Sequence, residues 1–283
     1  MKRMLSAALL VLAAALTAQA QPRQLPLQNK PTARQLAAIA EMEKAQDAAD
    51  VDDLAQAELH ARRAAELDPA NKETLLFIAQ VISQQYNRMP DGAEKTARMR
   101  EALQAYQRVV AADPLDDEAF NAVGVIYGEL HEDELRYAWV MQRTLAPFPD
   151  EKRAEAYLTL EWLDRDCAAA VVSGAFEQLY DQEAGRFQPE RLTDEIKLRL
   201  AQGQQCVARG LQMAEQSLAL RPEDDTAWQG KIELLMNASQ LAVLLGDEAE
   251  GERYLQESSE AGAHSDALKL KRRQEVEGSS PRR

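Results

Sequence analysis

The stretch "AADPLDDEAFNAVGVIYGEL", Ala111 to Leu130, decides the fold. It places an acidic turn around Pro114 and then sets Phe120, Val123, Gly124 and Tyr127 at six, nine, ten and thirteen residues beyond the proline. Spacing of i, i+3, i+4 and i+7 is one apolar stripe on a helix. The same offsets recur after Asp68-Pro69, with Leu75, Ile78, Ala79 and Ile82, and after Arg221-Pro222, with Trp228, Lys231, Ile232 and Leu235. The stripe predicts that Tyr127 and Trp228 are core residues. Acids behind the prolines, Asp116, Asp117 and Glu118 in one case and Asp224 and Asp225 in another, suit a helix N-terminus and its partial positive charge. Each proline also ends the helix before it, because its ring excludes the α conformation from the preceding residue.

Working backwards from each proline reveals a second helix. Ala57, Ala61 and Ala64 precede Pro69; Ala102, Tyr106 and Val109 precede Pro114; Gly210, Ala214 and Ser217 precede Pro222. Small residues at the first of these positions allow close helix approach. Paired helices whose apolar faces need neighbours to cover them are the sequence signature of a stacked solenoid. Composition agrees: 283 residues with 12 glycines and 5% aromatics fit an all-α chain better than a β-sandwich or barrel.

"FNAVGVIY" (Phe120 to Tyr127) and "ALQAYQRVVAADP" (Ala102 to Pro114) resemble the two halves of the tetratricopeptide repeat, whose unit is 34 residues. The resemblance runs patchily over residues 35 to 260. It implies a right-handed α-solenoid of about four stacked helix-turn-helix units. The arrangement is also similar to exported repeat proteins of acidobacterial type. Pro69 and Pro114 are 45 residues apart, so the chain departs from that period. The excess falls near 83–100, where Pro90, Asp91 and Gly92 predict a loop between paired helices. A larger insertion lies near 174–193, with Gly174, Gly185 and Pro189 and the aromatics Phe176, Tyr180 and Phe187. There we expect an extended first helix carrying Tyr157, Leu160 and Asp164, a small packed excursion, and a partner helix starting about Thr193.

In repeat positions, Cys167 and Cys206 fall on facing sites of an antiparallel helix pair, so the resemblance implies a disulfide clamping the base of the insertion. Two separate thiols are the alternative. An exported protein favours the bridge. Export itself is expected from the first twenty residues: Lys2 and Arg3, an apolar run from Leu5 to Leu16, and Ala18-Gln19-Ala20 before Gln21. This is a secretory signal pattern, too short for a spanning anchor, with a buried N-terminal helix as the alternative. Residues 1–20 are therefore read as the signal peptide, 21–34 as an extended leader, 35–262 as the solenoid and 263–283 as a flexible basic tail. The mature chain, periplasmic or extracellular, would begin at Gln21, and loss of Lys2 and Arg3 would move the net charge from −14 to −16. So acidic a surface argues against nucleic-acid and membrane partners.

Catalytic signatures are missing. The sequence has no dinucleotide or phosphate-loop glycine pattern and no G-x-S-x-G. His60, His131 and His264 are far apart, and "HEDEL" from His131 has Leu135 where a zinc-protease helix needs its second histidine. Asp50, Asp52 and Asp53 miss the calcium-loop pattern, since Leu54 and Ala55 stand where a ligand and a glycine belong. No cofactor or metal is expected, and no enzyme activity.

What the resemblance implies instead is a binding groove lined by the inner helix of each unit. Carried onto this chain, its positions include Gln80, Ser83, Gln84, Asn121, Val125, Trp162, Arg165, Gln229, Glu233 and Asn237. Amides that bond an extended backbone and an aromatic anchor at Trp162 suit a peptide or protein partner. The row lacks the lysine-rich clamp that some family members use for a C-terminal carboxylate. The expectation is a non-enzymatic interaction scaffold of the bacterial envelope. Its alternatives are a structural, self-assembling homo-oligomer and an enzyme with its site in the 174–193 insertion.

Overall fold

The computed structural model describes residues 30–145, 147–181, 183 and 186–279. The residues expected to form a signal peptide, and most of those expected to form an extended leader, lie outside the described residues. The helices run in antiparallel pairs: α1 (Ala33–Asp50) with α2 (Leu54–Leu67), α3 (Lys72–Asn87) with α4 (Ala93–Ala112), α5 (Asp117–Glu129) with α6 (Asp133–Gln142), α7 (Asp150–Leu179) with α8 (Asp194–Leu220), and α9 (Asp225–Leu244) with α10 (Glu248–Ser279). Each pair packs on the next, through α2–α3, α4–α5, α6–α7 and α8–α9. Among the described residues the fold is an all-α solenoid-like stack of five hairpins, against the four or so that the repeat resemblance implied. The α5–α6 hairpin is short and meets α7 through Pro149, without the joint used elsewhere.

That joint is the same structure three times. Asp68, Asp113 and Arg221, each directly before a proline, close α2, α4 and α8 with φ of −136°, −140° and −135° and ψ of 80°, 95° and 78°. This is the extended conformation that proline imposes on its predecessor. Two residues after each proline stands the cap of the next helix: Asn71, Asp116 and Asp224 accept from the backbone N–H groups of Thr74, Ala119 and both Thr226 and Ala227. Turns inside hairpins use the left-handed region instead, at Asp52 (φ 66°), His131 (φ 56°) and Gly246 (φ 85°). His131 is thus a turn residue.

The stripe of α3 packs as expected, with Leu75, Ile78, Ala79 and Ile82 buried in the core of the first three hairpins, and in α5 Phe120, Val123 and Gly124 are buried while Tyr127, expected as core, is half-buried. In α9 Leu235 is buried as expected, but the buried face otherwise lies one residue back, on Ala227, Gly230 and Leu234, whereas Lys231 and Ile232 are half-exposed. Helix α9 packs on α7 as well as α8, and that second contact rotates the buried face. Trp228 is consequently half-buried, donating to the Pro222 carbonyl at 2.9 Å and lying 4.4 Å from the His264 ring.

The excess near 83–100 lengthens α3 to 16 residues and α4 to 20, leaving only residues 88–92 between them. Within 174–193, α7 continues to Leu179, and a two-rung antiparallel ladder follows, β1 (Tyr180–Asp181) on β2 (Arg186–Phe187), then a 3₁₀ turn at Pro189–Arg191. Residues 263–279, expected as a flexible tail, continue α10. Lys271 pairs with Glu223 at 3.1 Å and Arg272 with Asp225 at 2.8 Å, which holds the basic end against the cap region of α9.

Candidate binding clefts

Helix length changes abruptly between α6 and α7, from 10 residues to 30. At 1.5 Å per residue this is about 15 Å against about 45 Å, so α7 overhangs its neighbour. Beneath the overhang lies a cleft of about 660 Å³, lined among others by Asp133, Tyr137 and Met141 of α6, Trp162 and Asp166 of α7, and Arg209 of α8. Trp162 is 40% exposed at its edge, with the Arg136 guanidinium 5.3 Å from the ring centroid.

The inner wall is a buried polar triad. Asp164, 1% exposed, accepts from Arg209 Nε at 2.9 Å and Nη2 at 2.7 Å, and from the Tyr137 hydroxyl at 3.2 Å. Burial pushes the Asp164 pKa up, against the opposing pull of Arg209. Burial and the neighbouring Asp164 charge push the Tyr137 hydroxyl up to about 12. A buried carboxylate with two Arg donors and a phenol is a fully bonded unit that fixes α6, α7 and α8 relative to one another.

Directly behind this wall, Cys167 Sγ and Cys206 Sγ stand 2.02 Å apart, with Cα atoms 6.1 Å apart. Cys206 Sγ also lies 3.6 Å from Arg209 Nη2. The pair sits 13 positions before β1, so it ties α7 to α8 in mid-hairpin beside the cleft. That is some 20 Å from the excursion whose base it was expected to clamp.

On the opposite side of α7, Glu161 is 1% exposed and faces α9 at Gly230. A Cβ on Gly230 would come within 2.4 Å of the carboxyl carbon, so only glycine admits the acid there. Arg165 is its cation, at 3.6 Å, and Arg165 is shared with Glu233 at 3.2 Å. Glu161 Oε1 has no hydrogen-bond partner among the described residues. Burial, reinforced by Glu233, Asp164 and Asp166 and opposed by Arg165, lifts its pKa from 4.5 to about 7.

The residues expected to form one groove fall in different places. Gln80 bonds Glu118 of α5 and lines a second groove of about 630 Å³ between α1 and α3, with Ile39, Met42 and Phe77. Gln84 and Asn121 are exposed, and their amides have no hydrogen-bond partner among the described residues. Trp162 borders the cleft beneath α7. Arg165 and Gln229 converge on Glu233, Gln229 donating to it at 2.8 Å, and Asn237 is half-buried further along α9. Sequence reasoning missed Tyr137, Arg209 and the Glu161–Gly230 contact. The available signal was an acid, Asp164, at a stripe position beside Leu160, since an acid on an apolar stripe needs a buried partner.

No protein-family model matches the chain, and no curated protein matches it. Solved structures do resemble it. MamA from Desulfovibrio magneticus RS-1 is 12% identical, with 81% of this chain and 97% of that one covered at a TM-score of 0.35. PilF from Pseudomonas aeruginosa is 14% identical over 85% and 100% of the two chains, at 0.36. A tetratricopeptide repeat protein from Parabacteroides merdae is 14% identical over 83% and 97%, at 0.34. The architecture described above rests on this chain's own helices and not on these likenesses. No helix of the described residues is long and apolar enough to cross a membrane.

Proposed function

We propose that this chain is a non-enzymatic scaffold that binds an extended segment of a protein partner along the first helices of its hairpins. The observation that carries this reading is the pair of uncommitted amides, Gln84 on α3 and Asn121 on α5, exposed on successive first helices. An extended peptide offers a backbone donor and acceptor at every residue, and side-chain amides satisfy both. Gln80 on α3, Trp162 and Arg165 on α7, and Gln229 and Asn237 on α9 stand on the same set of first helices, at separate places along them. The acidic net charge of −14 disfavours nucleic acid and anionic membrane as partners. We place the mature chain, beginning at Gln21, in the bacterial envelope, a reading supported by Cys167 and Cys206 at disulfide distance. Panning a displayed random-peptide library against the protein should select a consensus that the Gln84→Ala/Asn121→Ala variant no longer retains. Failure to select any consensus would sink this reading.

Self-association is a second reading, favoured by apolar residues exposed on both end helices: Leu36 (53%) and Ile39 (49%) on α1, Leu255 (53%) and Leu270 (57%) on α10. A solenoid normally carries polar caps at its ends. Sedimentation velocity over a wide concentration range tests it: an unchanging monomer excludes end-to-end assembly.

A further inference from the structure

We infer that the cleft beneath α7 takes a cationic side chain, a lysine or arginine in a basic segment of the partner, seated against Trp162 and ringed by Asp133, Glu134 and Asp166. The inference rests on the scaffold reading only in its premise that the chain binds polypeptide.

Charge is the first ground. Four carboxylates line the cleft, on Asp133, Glu134, Asp164 and Asp166, against two guanidinium groups, on Arg136 and Arg209. Arg209 is committed to Asp164. Asp133, Glu134 and Asp166 are exposed and have no ion pair among the described residues. Asp133 and Glu134 occupy the first turn of α6, whose N-terminus offsets about half a charge, so the cleft stays acidic.

The aromatic ring is the second. Trp162 already carries a guanidinium, that of Arg136, at 5.3 Å from its centroid, while 40% of the residue is exposed. Arg136 takes part of the ring, and the part left exposed is what an incoming cation meets, where the ring quadrupole attracts it. Tyr137, Met141 and Leu163 supply apolar wall for the methylene stem of such a side chain. At about 660 Å³ the cleft has room for that side chain together with its neighbours. The chain's overall −14 charge adds long-range attraction for a basic segment and repels an acidic one.

The test uses two fluorescein-labelled, end-blocked pentapeptides, Ala-Arg-Ala-Arg-Ala and Ala-Glu-Ala-Glu-Ala, titrated with the full chain and read by anisotropy. The arginine peptide should bind with an affinity that falls as salt rises, and the glutamate peptide should not bind. Trp162→Ala should weaken the arginine peptide roughly tenfold. Asp133→Asn/Asp166→Asn, which changes only exposed side chains, should weaken it roughly fivefold and flatten the salt dependence. Equal binding of the two peptides, absence of binding at about 1 mM, or full affinity in the Asp133→Asn/Asp166→Asn variant each overturns the inference. Binding lost in Gln84→Ala/Asn121→Ala but retained in the cleft variants overturns it too, while leaving the inner-row reading intact.

Discussion

Glu161 is the residue on which solution conditions should act most directly. It is buried against Gly230, its Oε1 has no hydrogen-bond partner among the described residues, and the cation paired with it, Arg165, is shared with Glu233. Because its folded pKa, about 7, lies above its ordinary 4.5, the folded state holds its proton more tightly than the unfolded chain does. The resulting contribution to stability is complete below pH 4.5 and is lost as pH rises through 7. A shift of this size corresponds to about 3 kcal/mol across that window. Asp164, also raised by burial, contributes with the same sign, so the Glu161 share is read by difference. Denaturant unfolding at pH 5 and pH 8 should show Glu161→Gln losing far less stability over the interval than the unaltered chain. Parallel profiles for the two would show that Glu161 keeps one protonation state throughout.

At the scale of elements, the proline joint is a repeated device whose parts can be removed singly. Asp116 accepts from Ala119 N at 2.9 Å and opens α5. Asp116→Ala should cost about 1 kcal/mol, the usual value of an N-cap, with Asp116→Asn costing little. Equal losses in the two variants would point instead to the Lys72–Asp116 ion pair at 3.2 Å. The Cys167–Cys206 tie spans 39 positions, and closing a loop of that length is worth about 4 kcal/mol on the chain-entropy account. Cys167→Ser/Cys206→Ser should lower the unfolding midpoint accordingly while leaving the helical content of the folded protein unchanged. A midpoint that does not move would mean that packing between α7 and α8 already holds the hairpin without the bridge.

Across the whole molecule the core is divided. One apolar cluster spans α1 to α5, another α7 to α10, and a small one around Val140, Ala156, Leu160 and Met213 joins them at α6, α7 and α8. The cleft with Trp162 lies at that junction, where short hairpins give way to long ones. The sequence by itself determined the three proline joints and the helices on either side of them, because helix periodicity, the proline stop and the Asn or Asp cap act over only a few residues and read the same wherever they occur. It pointed to a lengthened first helix carrying Tyr157, Leu160 and Asp164, though α7 begins seven residues earlier, at Asp150, and, through repeat position, to the pairing of the cysteines. Only the tertiary structure decided which way α9 turns its stripe, because that depends on a second neighbour, α7, sixty and more positions away. It likewise decided that Asp164 meets Arg209 and Tyr137, and that Glu161 is buried against a glycine. Such contacts join residues far apart in the chain, so their energies depend on how hairpins of unequal length stack and leave no periodic trace in the sequence.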